Sequence, residues 1–199
     1  MAKLYFKYGA MGCSKTAQAL ITKFNYEERG MKVMFIKPAV DTRDGADVAR
    51  SRIGLEAPVI SIPQDTDIYN LYQSEHSDCQ VIIVDECQFL TPEQVDQLGK
   101  IVIDLDIPVL CFGLRTDFLT HLFPGSRRLF EIAESITEIK SICRCGSKAS
   151  VNARIDDNGN VMFDGDQICL GGNDRYVPMC RKCWEKHRKA QKNVGEKCL

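Results

Sequence analysis

The stretch GAMGCSKT at residues 9–16 lies between an apolar run at 4–8 (LYFKY) and the segment 15–29 (KTAQALITKFNYEER), which Gly30 closes. The first run reads as a buried strand, and the second as a helix with Leu20 and Phe24 one turn apart. GAMGCSKT is then a strand-to-helix turn. Backbone N–H groups at a helix start are unpaired and carry partial positive charge, so such a turn can hold phosphate oxygens. The P-loop pattern G-x-x-x-x-G-K-[ST] adds a lysine for the outer phosphates and a hydroxyl for Mg²⁺. Gly9, Lys15 and Thr16 satisfy it, whereas Ser14 occupies the second glycine position. A Cβ there costs affinity or redirects the loop if the backbone needs positive φ, and Gly12 is the residue able to supply that freedom. The competing reading is an ordinary glycine-bearing turn.

A second stretch, VIIVDECQF at 81–89, points the same way. Four branched apolar residues in a row suit a strand buried on both faces of a parallel sheet. The run ends in Asp85 and Glu86. Ligands of open α/β sheets collect at the carboxyl ends of strands, which would bring both acids to the phosphate turn. Asp85 would hold Mg²⁺, leaving Glu86 to take a proton from an attacking hydroxyl. The alternative is a pair of solvated acids.

The chain has 199 residues, enough for one medium domain with a small appendage. A net charge of −1 argues against a dominant nucleic-acid footprint and leaves room only for a local basic patch. No apolar run reaches membrane-spanning length, no leader is expected, and Cys198 in the penultimate position fits no C-a-a-X lipid signal. Ten cysteines, several in apolar contexts such as Cys111 in PVLCFGL, read as reduced thiols of a cytoplasmic protein.

Strand-like runs at 32–37 (KVMFIK), 58–62 (PVISI), 81–85 and 108–114 (PVLCFGL) are each expected to be separated by a helical segment. The clearest helix spans 91–106, with Thr91 as cap, Pro92 in the first turn and Gln94 closing a capping box. Val95, Leu98, Val102 and Leu105 mark its buried stripe. Alternation of strand and helix predicts an α/β fold with a mostly parallel sheet and right-handed crossovers. The charged segment 186–199 is expected to be frayed or helical.

Cys143 and Cys145 (CRC) precede a second pair, Cys180 and Cys183 (CRKC). Two close-spaced pairs can deliver four thiolates tetrahedrally to Zn²⁺, the C-x-x-C knuckle being the more usual of the two. With no further ligand inside the motif to keep a position open, the zinc would be structural, joining residues 141–184 where apolar residues are few. The rival reading is four incidental thiols. Between the pairs lies a long segment with a hairpin-like turn at Asn158 and Gly159 and a hinge at Gly171 and Gly172, which suits a substrate lid.

GAMGCSKT, VDTRDG at 40–45, DECQF, GLRTDF at 113–118, the paired cysteines and GGNDRY at 171–176 occur in the order seen in the zinc-containing type II thymidine kinases of bacteria and animal cytosol. The chain resembles that family over nearly its whole length. The resemblance implies a P-loop NTPase-type, RecA-like domain at 1–140, a small zinc-binding lid domain at 141–190 and a tail at 191–199. It also implies transfer of the γ-phosphoryl group of ATP to the 5′-hydroxyl of thymidine. Glu86 would be the general base. The loop residues Gly9, Ala10, Met11, Gly12, Cys13, Ser14 and Lys15 would hold the triphosphate, with Gln88 in the same set. Thr16 and Asp85 would hold Mg²⁺. Asp41 and Arg43 match the family's acid-x-arginine motif beside the transferring phosphate, where a fixed cation offsets spreading charge. Phe89, Leu114, Phe118, Phe123 and Tyr176 match positions walling the thymine pocket. Backbone at 167–172, including Cys169, Leu170, Gly171 and Gly172, would read the base edge. A homotetramer, feedback inhibition by thymidine triphosphate and a cytoplasmic location are expected on the same ground, with no nucleic-acid partner.

Two rivals remain at this level: a RecA-like ATPase that moves on DNA with the zinc knuckle gripping the strand, and a non-catalytic nucleotide sensor, which Ser14 makes plausible. The acidic lid segments DDNGN and DGDQ disfavour the first.

Overall fold

The computed structural model describes residues 1–41, 45, 47–167 and 175–195, with side chains up to residue 191. Its elements run β1 (Leu4–Gly9), α1 (Lys15–Glu27), β2 (Val33–Pro38), β3 (Val48–Arg50), β4 (Glu56–Pro58), β5 (Ile60–Ile62), α2 (Ile68–Glu75) and β6 (Val81–Val84). A 3₁₀ turn (Cys87–Phe89) follows, then α3 (Pro92–Leu105), β7 (Val109–Leu114), α4 (Pro124–Ile132), β8 (Ser135–Ile139), β9 (Ser141–Ile142), β10 (Lys148–Ala149), β11 (Val151–Arg154), β12 (Tyr176–Met179) and α5 (Arg181–Gly195).

Six strands form one sheet in the order β5-β2-β6-β7-β1-β8, and every neighbouring pair is parallel. Alternate residues of the VIIV run supply opposite faces. Ile82 and Val84 join a core with Leu98 and Val102 of α3 and Leu129 of α4, while Val81 and Ile83 join one with Ala19 and Leu20 of α1. All four are fully buried, as a central parallel strand requires. One strand, β7, separates β1 from β6, so the phosphate turn and the acidic strand tip sit at the same sheet edge with one strand between them.

Helix α3 starts as its sequence demands. The Thr91 hydroxyl accepts the Gln94 N–H, and the Gln94 side chain accepts the Thr91 N–H. Its stripe is Val95, Leu98, Ile101 and Val102, with Leu105 at the margin.

Two expectations are corrected, and one detail of α1 is added. The segment between β2 and β5 is not helical: β3 and β4 pair antiparallel as a hairpin. The run at 58–62 is split, because Val59 turns its N–H to Asp47 O, so the chain leaves the hairpin before β5 pairs with β2. Phe24 is 61% exposed. The buried face of α1 is centred on Ala19 and Tyr26, nearly eclipsed at 3.6 residues per turn, which puts Leu20 at its margin and Phe24 outside it.

The C-terminal portion pairs β9 with β10 and β11 with β12, then continues into α5. Val151, Ala153, Val161 and Trp184 form its small core. Residues 186–195 of the expected tail lie in α5. No described helix is long and apolar enough to cross a membrane.

Candidate active site

Strand β1 ends at Gly9, which pairs with Leu114 on one side and Ile139 on the other. A Cβ on Gly9 would lie 2.4 Å from Cys13 Sγ and 2.5 Å from Ile139 O, so only glycine fits where the loop folds back over the strand end. Gly12 has φ 74°, and Ser14 has φ 65° and ψ 29°. The second-glycine position thus keeps a left-handed backbone even though a serine fills it, at a cost of about 1 to 2 kcal/mol. Gly12 adds a second left-handed residue rather than replacing the first. Ser14 makes no side-chain cap to α1. The first residues of the helix, Lys15, Thr16 and Ala17, line a cavity of about 270 Å³.

Lys15 is 7% exposed, and its ammonium donates to Ala10 O at 2.9 Å and to Cys13 Sγ at 3.6 Å. Ala10 and Cys13 are themselves buried, so they shape the loop from behind while Met11, Gly12 and Ser14 form the cavity wall.

Asp85 and Glu86 line the opposite wall. Burial pushes the Asp85 carboxyl up to about 7, and the neighbouring Glu86 charge adds to this; a hydrogen bond with Thr16 and the Lys15 charge oppose it. A buried carboxyl bonded to the loop hydroxyl is a site that a divalent cation would complete, and Thr16 and Asp85 fit Mg²⁺ as hard oxygen ligands. Glu86 has φ 50°, a strained conformation that turns the chain at the strand tip. Gln88, grouped with the phosphate ligands on sequence grounds, lies elsewhere. It is 1% exposed behind Glu86, donating to Glu86 Oε2 at 2.6 Å and accepting the Leu114 N–H at 2.9 Å.

Asp41 and Lys37 also border the cavity. Lys37 is buried and donates to Gly45 O and Val48 O, fixing the backbone beyond Asp41. Arg43 lies outside the described residues, as do Cys169, Leu170, Gly171 and Gly172. Arg50, Ser51 and Arg52, from the end of β3, form the far wall. The sequence gives no signal for them, because the strands of the hairpin that carries them have three residues each, too few to show a period.

Met11 and Leu114 belong both to the cavity and to an apolar cluster with Phe123, Phe89 and Tyr176. Phe89 and Phe123 meet edge to face, with ring centroids 5.6 Å apart. Phe118 stands apart from that cluster. Its ring is covered by the Arg154 guanidinium at 3.8 Å, and Arg154 donates to the Tyr176 hydroxyl through Nε at 3.0 Å and Nη2 at 2.7 Å. Arg154 is 5% exposed and had no sequence signal beyond being a polar residue in the short strand VNAR.

The four cysteines converge. Sγ atoms of Cys143, Cys145, Cys180 and Cys183 all lie within 4.8 Å of one another, and those of Cys145 and Cys180 are 3.6 Å apart. Four thiolates at ~2.3 Å from a tetrahedral ion would be about 3.8 Å apart, so the set fits Zn²⁺. Hydrogen bonds from Ser147 bring the Cys145 thiol down to about 6, and Cys183 is pushed up to about 12 chiefly by its hydrogen bond with Cys180. The tight C-x-C knuckle works because Gly146 takes φ 84° and returns its N–H to Cys143 O.

A glycine-closed phosphate loop at a helix start, facing an acidic tip one strand away on a parallel sheet, defines a P-loop nucleotide-binding protein. The family model for thymidine kinase matches residues 2–184. The thymidine kinase of Vibrio cholerae is 47% identical over 94% of this chain and 98% of its own, and that of Zymomonas mobilis 45% identical over 92% and 95%. The Yersinia pestis thymidine kinase is 43% identical over 96% and 98%. Among solved structures, the Pif1 helicase from Candida albicans overlays with a TM-score of 0.42 at 15% identity, covering 72% of this chain and 37% of that one. The chain belongs to the thymidine kinase family, and it is a kinase.

Proposed function

We propose that the protein transfers the γ-phosphoryl group of ATP to the 5′-hydroxyl of thymidine, giving thymidine monophosphate and ADP, a pyrimidine-salvage step that supplies DNA precursors. The observation that carries this reading is the division between two adjacent carboxyls. Asp85 is tied to Thr16 of the phosphate loop, whereas Glu86 is tied to Gln88 next to Leu114, where the cavity joins the aromatic cluster. One acid serves the metal and the other the acceptor alcohol.

In this reading the loop amides and Lys15 bind the outer phosphates. Thr16 and Asp85 are the residues that would hold Mg²⁺, which when bound neutralises charge on the phosphate oxygens. Glu86 accepts the proton that the 5′-oxygen loses as it bonds to phosphorus and the bond to the ADP oxygen breaks. Asp41 and Arg43 flank the transferring group. Phe89, Leu114, Phe123 and Tyr176 enclose the base, Phe118 supports Tyr176 through Arg154, and backbone at 167–172 reads the base edge. Residues 1–140 carry the chemistry, 141–190 form a lid domain held by a structural zinc, and 191–199 are a tail. We also propose a cytoplasmic homotetramer that thymidine triphosphate inhibits by occupying this site.

The test is ADP release from Mg-ATP with thymidine, with deoxyuridine, with single-stranded DNA and with no acceptor. Release that depends on thymidine is expected, and Glu86→Gln should abolish it while ATP still binds. Hydrolysis stimulated by DNA, or no turnover with any nucleoside, would overturn the reading.

A further inference from the structure

We propose that Asn152 is a positioning residue of the phosphate loop, through which the four-cysteine module sets the shape of the nucleotide site. This rests on residues 9–16 being the nucleotide cradle. Asn152 sits in β11, between Val151 and Ala153 of the module's own core, and is 3% exposed. Its side chain points away from that core: Oδ1 accepts the Met11 N–H at 2.7 Å, and Nδ2 donates to Thr116 O at 2.8 Å. Both partners are backbone groups with one role each, donor and acceptor, so the orientation of the amide is fixed.

The consequence lies in the loop. Met11 is 8% exposed, and a buried N–H left unpaired costs about 1 to 3 kcal/mol, so the loop keeps this path only while β11 is in place. Strand β11 is held by β12, and β12 runs directly into Cys180. A second contact joins the same parts, since Ala10 packs against Cys143, Ala149 and Cys180. Two consecutive loop residues therefore lean on the cysteine cluster, one through packing and the next through a hydrogen bond. An apolar residue at 152 would leave the loop without its acceptor. A metal held by the four thiols would fix Cys180, hence β12, β11 and Met11. The cluster acts on phosphate binding from behind the loop, a role separate from shaping the base-binding side.

The test compares affinity for a fluorescent ADP analogue in wild type, Asn152→Ala and Asn152→Asp, with zinc content measured for each. Asn152→Ala should bind roughly tenfold more weakly at unchanged zinc content, as expected for a buried N–H losing its acceptor. Asn152→Asp keeps an acceptor for Met11 but sets a carboxylate oxygen against Thr116 O, where the amide donates at 2.8 Å, so it should also bind more weakly than wild type. Wild-type affinity in either variant overturns the inference. Should either variant fail to fold, amide exchange in the wild type decides. Chelating zinc should speed exchange in the peptide 9–16 while β2 and β6 stay protected, and unchanged exchange there overturns the inference. Failure of the wild type to bind the analogue would instead count against the nucleotide reading itself.

Discussion

Gln88 orients Glu86: one end of its amide donates to the Glu86 carboxylate at 2.6 Å, and the other accepts the Leu114 N–H at 2.9 Å. The acid is thus anchored to the end of β7, the strand that separates the phosphate loop from the acidic tip. Room for the amide comes from Gly113, where a Cβ would fall 2.7 Å from Gln88 Oε1.

Removing the brace should slow chemistry more than it weakens binding. Gln88→Ala is expected to lower kcat by about 10- to 100-fold, because a base displaced by a fraction of an ångström loses its approach to the hydroxyl. KM for ATP should stay close to wild type. Steady-state kinetics with ATP varied at saturating thymidine check this, and an unchanged kcat would remove Gln88 from the role.

Ser14 holds a left-handed backbone that glycine adopts without strain. Ser14→Gly should therefore raise stability by up to about 1 kcal/mol, offset in part by the greater freedom of glycine in the unfolded chain. ATP affinity should be kept or improved. Denaturant unfolding and nucleotide titration measure the two effects, and a large loss of affinity would show that the serine side chain is itself a ligand.

Cys183 closes the cysteine cluster from the first turn of α5. Cys183→Ala should reduce bound zinc and loosen β11, β12 and α5, whose own apolar core is only a few residues. Metal analysis together with proteolysis of residues 141–195 tests this, with an intact stoichiometry counting against the ligand assignment.

Asp85 gives a pH signature. Its folded value, about 7, lies above the unfolded ~3.9, so the folded state binds the proton more tightly. The stability this contributes is fully present below about pH 4 and is lost as pH rises through about 7, with an upper bound of about 4 kcal/mol. Relative to Asp85→Asn, the ligand-free wild type should become less stable between pH 5 and pH 8 on this ground. Cation binding must displace that proton, so Mg-ADP affinity should rise over the same range. Parallel unfolding curves for the two proteins at both pH values would contradict it.

Much of the sheet was legible because its signals are local. The run at 81–84 is four branched apolar residues, those at 4–8 and 109–114 are rich in aromatic and aliphatic ones, and the capping box at Thr91 fixes the start of α3 within four residues. The hairpin of β3 and β4 was not legible. Each of its strands has three residues, too few to show a period, and the hairpin is held in part by Lys37 reaching Val48 O from another strand. The sequence pattern puts Phe118 among the base-pocket residues and Gln88 in the phosphate set, whereas in the fold an arginine covers the one and the other braces Glu86.

By itself the sequence determined which chemistry-bearing residues exist and on which element ends they fall: a glycine, lysine and threonine at a strand-to-helix turn, two acids at a strand tip, and four thiols in two knuckles. Those follow from patterns a few residues long. Only the tertiary structure decided that Asn152 completes the loop and Arg154 ties Phe118 to Tyr176. Those pairings join a short strand of the cysteine module to partners tens of residues away, and a buried polar side chain takes its meaning from whichever backbone group or ring the fold brings within hydrogen-bonding reach.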